Sequence, residues 1–259
     1  MTEVAITEAL GESLSPSQVS TYMTCPAKWY FRYLIGLNEP STGALALGKA
    51  FHATLARNFR QKMSTGRDME AEELRGVFAE EWSLATADAA LRDDEDADEL
   101  AATGQVLVAA YVTEAAGPLQ PHAVEQTVQG EIAGVNVRGI VDLLDTAGRV
   151  VDFKTASKRP NGISADHSLQ LTTYAMITPG ASGLCRLDTV TKTKTVQVIQ
   201  QSYQVDAEDR RFAETLYPMV QESIQDGIYP AHRSSPMCSR RYCGYWRECE
   251  REFGGRVPE

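Results

Sequence analysis

Residues 139–156 have the sequence GIVDLLDTAGRVVDFKTA, in which two apolar runs flank a turn at 145–149. This pattern predicts two successive β-strands joined by a short turn. Side chains alternate between the two faces of a strand, so Asp152 and Lys154 point to the same face of the second strand. The turn places the first strand alongside, and Asp142 is therefore expected to lie close to both.

Helices and strands are predicted on either side of this pair. Ser15 followed by Pro16 marks a helix start, because serine caps free N–H groups and proline suits the first helical position. Pro26 opens a second helix. The remaining predicted elements are helices at 43–63, twice between 68 and 111, and at 164–177 and 207–226, with strands at 122–132, 135–145, 149–155, 184–192 and 195–205. This order indicates one α/β core behind a helical N-terminal part.

The net charge of -10 comes from 35 acidic and 25 basic side chains. Such a balance argues against a generic nucleic-acid binder, which usually has a basic surplus. However, residues 68–100 contain 13 acidic side chains and two arginines, so this acidic segment sets the total and the rest is near neutral. We expect the acidic segment to form a solvated outer face of the helical part.

Composition and the termini limit the class further. A hydrophobic content of 43% suits a folded domain. No apolar run reaches the roughly 18 residues that a membrane span needs. Residues 1–13 lack the basic start and apolar stretch of a signal peptide. We therefore expect a cytoplasmic protein without a membrane partner, whose five cysteines do not form structural disulfides.

The Asp142, Asp152 and Lys154 cluster has a use in phosphodiester chemistry. Magnesium and manganese prefer oxygen ligands and commonly take one or two protein carboxylates. A bound metal lowers the pKa of an attacking water, and a nearby lysine orients that water or stabilises developing charge. An isolated Asp-x-Lys is common and could simply expose charges, so the surrounding motifs matter. In chain order, these motifs are Gly48-x-x-x-His52, Gly139-x-x-Asp142, Asp152-x-Lys154 and Gln170-x-x-x-Tyr174.

These four motifs, in this order, resemble those of the PD-(D/E)XK nucleases. The closest resemblance is to the RecB-type branch, which includes the nucleases of CRISPR adaptation and the nuclease domains of recombination helicase-nucleases. It extends from about residue 14 to residue 249. It implies an α/β, restriction-endonuclease-like core with a mixed central β-sheet flanked by helices. The expected parts are a helical N-terminal part (1–117), the nuclease core (118–230) and a cysteine-rich tail (231–259).

The resemblance also implies roles for individual residues. The metal ligands for Mg2+ or Mn2+ would be His52, Asp142, Asp152 and the Phe153 carbonyl. The catalytic residues would be Lys154 and Asp152, with Gln170 and Tyr174 positioning the scissile strand or the lysine. Glu125, in the preceding predicted strand, is expected to be a solvated strand-edge carboxylate, with an extra metal ligand as the alternative.

Four of the five cysteines fit the same family. Many RecB-type members bind a 4Fe-4S cluster through one cysteine before the core and three after it. Here the resemblance assigns these positions to Cys25, Cys238, Cys243 and Cys249. Four residues separate Cys238 from Cys243, where the family usually has two. Four thiolates could instead hold Zn2+, because both centres accept four cysteines. Cys185 is expected to be a buried thiol.

DNA is the expected substrate, and basic and aromatic side chains are its candidate contacts. Phosphates need lysine or arginine, and nucleobases stack on aromatic rings. The candidates are Lys158 and Arg159 beyond the core motif, and Arg240, Arg241, Tyr242 and Trp246 in the tail. The chain has no Walker-type phosphate-binding motif, so an ATP-driven motor would have to be a partner. Helicase, recombinase and integrase proteins are candidate partners.

The sequence therefore favours a metal-dependent deoxyribonuclease. The expected subtype is an exonuclease acting on single-stranded or end-resected DNA, with 5′ to 3′ polarity suggested by the family. DNA recombination, repair or CRISPR adaptation would be its setting, and a phage origin fits. A catalytically silent, cluster-stapled DNA-binding module of a helicase-nuclease complex is the alternative. A zinc-bound interaction protein would explain the cysteines but not the Asp-x-Lys motif.

Overall fold

The computed structural model describes residues 13–39, 41–87, 89–92 and 95–259. The segment 1–12, most of the stretch where no signal peptide is predicted, lies outside the described residues, as do Asp88, Asp93 and Asp94 of the acidic segment. In the described part, eight α-helices accompany a five-stranded mixed sheet. The α/β class expected from the sequence is therefore confirmed.

Most elements begin and end where the sequence predicts. The helices are α1 (Pro16–Thr24), α2 (Pro26–Trp29), α3 (Gly43–Thr65), α4 (Ala71–Thr86), α5 (Ala97–Tyr111), α6 (Ala165–Ile177), α7 (Ala207–Gln225) and α8 (Trp246–Phe253). Short π-helical turns follow α2 (Tyr30–Leu34) and α5 (Val112–Ala116). The strands are β1 (Pro121–Ile132), β2 (Val135–Asp145), β3 (Val150–Ala156), β4 (Leu184–Thr191) and β5 (Val198–Gln204). Within the described ranges, every helix is too short or too polar to cross a bilayer.

Local signals account for several of these boundaries. At the start of α1 the Ser15 hydroxyl accepts the Gln18 N–H, and the Ser15 N–H donates to the Gln18 side chain. Both donors are thereby satisfied, as in a capping box. Strand β5 begins at Val198, three residues later than predicted. Hydrogen bonds around the Thr193 hydroxyl form a turn before β5 and explain the later start.

The strands lie in the order β1-β2-β3-β4-β5. Strand β3 is antiparallel to β2 and parallel to β4, and β5 is antiparallel to β4. A parallel pair needs a crossover connection, and α6 provides it between β3 and β4. This crossover carries the Gln170 and Tyr174 motif, while β3 carries Asp152 and Lys154.

The described residues form two compact units. One, which we call the sheet unit, comprises 41–128 and 140–206 within the described ranges, and the other, the cysteine unit, comprises 13–39, 129–139 and 207–259. The three-part division of the chain at residues 117 and 230 stays a prediction.

The sheet unit packs around a buried aromatic cluster. Phe153 of β3 stacks on Phe59 of α3 at 5.6 Å between ring centroids and meets the Tyr111 ring edge-on at 5.2 Å. All three side chains are buried. Since neighbouring side chains alternate along a strand, the inward Phe153 leaves Asp152 and Lys154 on the opposite face of β3.

Candidate active site

Strands β2 and β3 bring together the two carboxylates and the lysine. The Phe153 N–H donates to Asp142 Oδ2 at 2.8 Å. Lys154 Nζ lies 2.7 Å from Asp152 Oδ2, and the Asp152 side chain is almost fully buried. The expected convergence of Asp142, Asp152 and Lys154 is thus what the antiparallel β2-β3 pair produces.

Helix α3 contributes a histidine from the other side. His52 Nδ1 lies 3.3 Å from Asp142 Oδ2, which makes Asp142 the link between the helix and the sheet. The neighbouring Phe51 is buried in the core, whereas His52 is only partly buried. The helix therefore presents one face to the aromatic cluster and turns His52 toward the carboxylates.

Glu125 of β1 also belongs to this site, contrary to the expectation that it is a solvated carboxylate. Ligand atoms of His52, Glu125 and Asp142 all lie within 4.8 Å of one another. No other group of three or more His, Cys, Asp or Glu residues in the described part of the chain meets that distance. Glu125 has a φ of +50°, a left-handed conformation that is unfavourable for a residue with a Cβ atom.

Asp142 and His52 act as a charged pair. Burial raises the pKa of Asp142, but the His52 cation, the Lys154 ammonium and the Phe153 N–H outweigh burial and hold that pKa below its usual value. Burial likewise lowers the pKa of His52, and Asp142 reverses the effect so that the net shift is upward. Each group therefore stabilises the charged form of the other.

The shifts in pKa of Asp152 and Lys154 have different consequences for the charges of the two side chains. Burial, reinforced by the Asp142 charge, raises the pKa of Asp152 to about 6 even though the Lys154 ammonium opposes the shift. Burial lowers the pKa of Lys154, but Asp152 and Asp142 outweigh it and keep the lysine protonated. The site therefore holds a fixed cation beside a carboxylate that is costly to ionise in the absence of further positive charge.

Helix α6 supplies three further polar side chains at spacings of three and four. The Gln170 amide donates to the Tyr174 hydroxyl at 3.3 Å. Tyr174 is buried, and burial raises the pKa of its hydroxyl, so the phenol stays neutral beside the Lys154 ammonium. His167, which the sequence reasoning missed, lies within electrostatic range of Lys154; burial first and Lys154 second lower its pKa. The only sequence signal for His167 is its position one turn before Gln170.

The site opens into a cleft of about 720 Å³. Its lining includes His52, Glu125, Asp142 and Lys154, together with residues of α3, among them Gly48. A Cβ added at Gly48 would meet Thr155 Oγ1 at 3.9 Å, an ordinary contact. Packing within the protein therefore does not require a glycine at position 48. The absence of a side chain there widens the cleft next to His52.

These residues fit a divalent metal of the magnesium or manganese type. Carboxylate oxygens and one imidazole nitrogen are suitable ligands, and three of them already lie within 4.8 Å of one another. Glu125 lies in the close group with His52 and Asp142, and Asp152 lies outside that group, so the ligand set expected from the resemblance, with Asp152, stays a prediction. Asp152 Oδ2 is buried and accepts no well-directed hydrogen bond from a described residue, although Lys154 is beside it. The Phe153 N–H, rather than its carbonyl, makes the observed contact to Asp142.

Comparison with known proteins decides the family. The family model described as the PD-(D/E)XK nuclease superfamily matches residues 13–250. The chain belongs to the PD-(D/E)XK nuclease superfamily. No curated protein matches the sequence.

One solved structure supports the fold of a PD-(D/E)XK protein. A protein from Eubacterium rectale, provisionally described as an exonuclease, is 12% identical, with a TM-score of 0.62 over 90% of this chain and 89% of its own. At that identity the likeness shows the fold alone, and it confirms the expected restriction-endonuclease-like core. A second structure, SSO0001, is 14% identical over 90% of this chain and 97% of its own, with a TM-score of 0.40.

The PD-(D/E)XK chain also brings its four outlying cysteines together. Cys25, Cys238, Cys243 and Cys249 line one cavity within the cysteine unit, and all four thiols are free. The His232 N–H donates to Cys25 Sγ at 3.4 Å. Burial raises the pKa of Cys249 to about 11, so this thiol is inert unless a metal displaces its proton. Cys185 is fully buried in β4 of the sheet unit.

The predicted DNA contacts are distributed over both units. Lys158 and Arg159 follow β3 on an exposed loop, and Arg159 donates to the Gln197 side chain. In the tail, the guanidinium of Arg240 lies 4.6 Å above the Trp246 ring and pairs with Glu250 and Glu259. Arg241 lies over the Tyr242 ring at 5.7 Å. Of these six residues, none lines the cleft of the candidate active site.

The acidic segment does not lie wholly on an outer face. Glu81 of α4 lines the cleft and, with Glu80, pairs with Arg57 of α3. Glu95 accepts from the Gly43 N–H at the start of α3 and pairs with Arg92. The expectation of a purely solvated face was wrong because these acids are used to anchor and cap the helix that carries His52.

Proposed function

We propose that this PD-(D/E)XK protein is a metal-dependent deoxyribonuclease that hydrolyses phosphodiester bonds. The observation that carries the proposal is the convergence of Asp142, Asp152 and Lys154 with His52 and Glu125 in one open cleft. Membership in the superfamily supports nuclease activity. We further propose an exonuclease acting on single-stranded or end-resected DNA, with 5′ to 3′ polarity suggested by the family resemblance.

The ligand set for Mg2+ or Mn2+ would be His52, Glu125 and Asp142, with Asp152 completing it. When bound, such a metal supplies Lewis-acid stabilisation of phosphate charge and lowers the pKa of a coordinated water. Lys154 holds a positive charge beside the reacting phosphate because its two carboxylate neighbours keep it protonated. Gln170 donates to the Tyr174 hydroxyl, and this pair would position the scissile strand or the lysine.

For the cysteine site we propose a 4Fe-4S cluster that staples the two ends of the chain. Four thiolates around zinc would lie about 3.8 Å apart, given a Zn–S distance of about 2.3 Å in a tetrahedron. No three of the four described thiols lie within 4.8 Å of one another. In a four-iron cluster each thiolate binds a different iron, so such a cluster accepts thiolates that lie farther apart than those of a zinc site.

The setting of this activity is also a proposal. DNA recombination, repair or CRISPR adaptation would supply strands with free ends, and a helicase, recombinase or integrase could be a protein partner. A helicase partner would provide the unwinding that a chain without an ATP-binding motif cannot perform.

Digestion of end-labelled DNA tests the proposal. Single- and double-stranded oligonucleotides labelled at either the 5′ or the 3′ end are incubated with Mg2+, with Mn2+ or with EDTA, and an RNA of the same sequence is included. We expect metal-dependent shortening of the single-stranded DNA from the 5′ end. Intact DNA under every metal condition would contradict the nuclease proposal, and cleavage of RNA alone would contradict the substrate.

A further inference from the structure

The chain turns back on itself after α8. Residues 254–259, which we call the strap, belong to the cysteine unit. Gly254 and Gly255 have φ values of +68° and +70°, which glycine adopts readily because it has no Cβ atom. A Cβ at either position would meet nothing within 4 Å, so backbone conformation rather than packing favours glycine here. The Arg233 guanidinium donates to the Gly254 carbonyl at 2.7 Å and fixes the start of the strap.

Arg240 and Glu250 hold the rest of the strap. The Val257 N–H donates to Glu250 Oε1 at 2.7 Å, and the backbone N–H of Arg240 donates to the Pro258 carbonyl at 2.8 Å. The Arg240 guanidinium also reaches Glu259 at 2.7 Å and Glu250 at 3.3 Å. The Val257 N–H and then Arg240 lower the pKa of Glu250, so this acceptor is ionised and its hydrogen bonds are charge-assisted. Arg240, a candidate DNA contact, is thus engaged in holding the strap.

Val257 is the buried residue of the strap. It is 4% exposed, whereas the other five strap residues are exposed. Val257 lines the same cavity as Cys25, Cys238, Cys243 and Cys249. The strap therefore adds an apolar wall to the cysteine cavity without contributing a ligand to it.

We propose that the strap is part of the cysteine site and shields it from solvent, with Val257 as the shielding side chain and Arg240 and Glu250 as its anchors. The inference rests on the proposed metal-binding role of the four cysteines, and its shielding applies to an iron–sulfur centre and to zinc alike. The apolar shell around a metal site controls solvent access, and with it how fast a reagent reaches the metal or its thiolates. Surface segments of this kind open locally more often than the core does, so the anchors set how often the cavity is exposed.

Release of bound metal to a chelator tests the shield in the loaded protein. The anaerobically purified protein is mixed with excess EDTA, and elemental analysis follows the iron and zinc that remain on the chain. Val257→Ser should lose its metal about tenfold faster than the wild type, in line with the roughly 10- to 100-fold effects of changes around metal sites. Arg256→Ser, at the exposed neighbouring position of the strap, is the matched control and should lose metal at the wild-type rate.

Alkylation of the metal-free protein tests the anchors without any bound metal. Iodoacetamide labels each thiol as it becomes accessible, and mass spectrometry measures the label at Cys249, which is 7% exposed. Glu250→Gln should raise the labelling rate of Cys249 by about tenfold, because the Val257 N–H loses a charged acceptor. Glu252→Gln removes the same charge from an exposed position of the same helix and should label at the wild-type rate.

The outcomes separate the strap from the cluster that it would cover. Wild-type rates of metal release in Val257→Ser and of alkylation in Glu250→Gln would overturn the inference, whatever metal the protein holds. A protein that purifies with zinc contradicts the iron–sulfur proposal, yet faster zinc release from Val257→Ser would still support the strap. If the protein purifies without metal, the alkylation rates alone decide. Val257→Ala repeats both measurements if circular dichroism shows that the serine variant is not folded.

Discussion

Glu125 illustrates how one residue can be held in the site against its own backbone preference. Its φ of +50° belongs to the left-handed region, which costs of the order of 1–3 kcal/mol for a residue other than glycine. In that conformation the carboxylate reaches the His52 and Asp142 pair. Strain of this kind is often located where a functional group must be aimed.

Removal of the Glu125 charge should therefore weaken metal binding. We expect Glu125→Gln to raise the Kd for Mn2+ by roughly tenfold or more, because one anionic ligand is lost. Glu131→Gln, at an exposed position of the same strand, is the control and should bind Mn2+ like the wild type. Isothermal titration calorimetry measures both. Equal Mn2+ affinity in the two variants would show that Glu125 is not a ligand.

The pKa of Asp152 makes a prediction about stability and pH. Burial raises the pKa of Asp152 to about 6 from an ordinary value of 3.8, so folding takes up a proton between those pH values. The stability that the protonated carboxyl contributes is fully present below about pH 4 and is lost as the pH rises through about 6. Metal-free wild type should therefore lose of the order of 2–3 kcal/mol relative to Asp152→Asn between about pH 4 and pH 7.5.

Urea unfolding in EDTA measures this difference. The other titrating groups are present in both chains, so subtraction of the two stability curves reports Asp152 together with its effect on Asp142, His52 and Lys154. A difference that is independent of pH would contradict the raised pKa.

At this scale the sequence predicts some site residues and cannot predict others. Strand alternation placed Asp152 and Lys154 on one face, and the turn at 145–149 brought Asp142 beside them. Glu125 was expected to be solvated, with the ligand role only as the alternative, because no glycine marks its left-handed backbone in the sequence. The pairing of Arg57 with Glu80 and Glu81 also escaped, since long-range ion pairs leave no periodic pattern.

At the scale of elements, α3 is the part that connects core and site. Its buried residues include Phe51, Leu55 and Phe59, while His52 and Lys49 face the cleft. The helical spacing of these residues is visible in the sequence, which is why the helix was predicted at 43–63. The packing of α4 and α5 against it depends on side-chain contacts that spacing alone does not reveal.

Two helical glycines should respond to alanine in opposite directions. A Cβ at Gly104 of α5 would overlap the Phe78 ring, which is fully buried and stacked on Trp82 and so has no room to move. Gly104→Ala should therefore destabilise the protein by about 1–3 kcal/mol. Gly76 of α4 has nothing within 4 Å of a Cβ, and Gly76→Ala should stabilise by up to about 1 kcal/mol.

Urea denaturation of both glycine variants checks this pair. Stabilisation by Gly104→Ala would contradict the close approach of α5 to Phe78. Destabilisation by Gly76→Ala would show that another contact limits α4.

At the scale of the whole molecule, the four cysteines join segments that are far apart in sequence. Cys25 and the tail cysteines enclose more than 200 residues, and a link that closes a long loop removes much entropy from the unfolded chain. The convergence of these residues was predicted from the family resemblance. Neither composition nor periodicity would have placed Cys25 beside the tail.

A cluster at this site should be visible and stabilising. Anaerobically purified protein should be brown and contain about four iron atoms per chain. Cys243→Ala should lose the iron and lower the Tm by more than about 5 °C, since a metal link of this kind typically contributes several kcal/mol. Cys185→Ala is the control and should retain the iron. A colourless protein with one zinc would contradict the iron–sulfur assignment.

At the scale of the whole molecule, the net charge does not describe the charge of the cleft. The acidic segment sets the total of -10, yet some of its carboxylates pair with Arg57 and cap α3. An acidic total is therefore compatible with a cleft whose lining includes the exposed cations Lys49 and Arg60.

The central claim is that Lys154 and its carboxylates hydrolyse DNA. The most direct measurement is the Mn2+-dependent cleavage rate of Lys154→Ala on end-labelled single-stranded DNA, with DNA affinity measured by anisotropy and the exposed Lys194→Ala as the control. We predict that Lys154→Ala cleaves at least about 100-fold more slowly while its Kd for DNA changes less than about threefold, because the lysine acts on developing charge rather than on binding. Lys194→Ala should cleave like the wild type. Wild-type cleavage by Lys154→Ala would contradict the account.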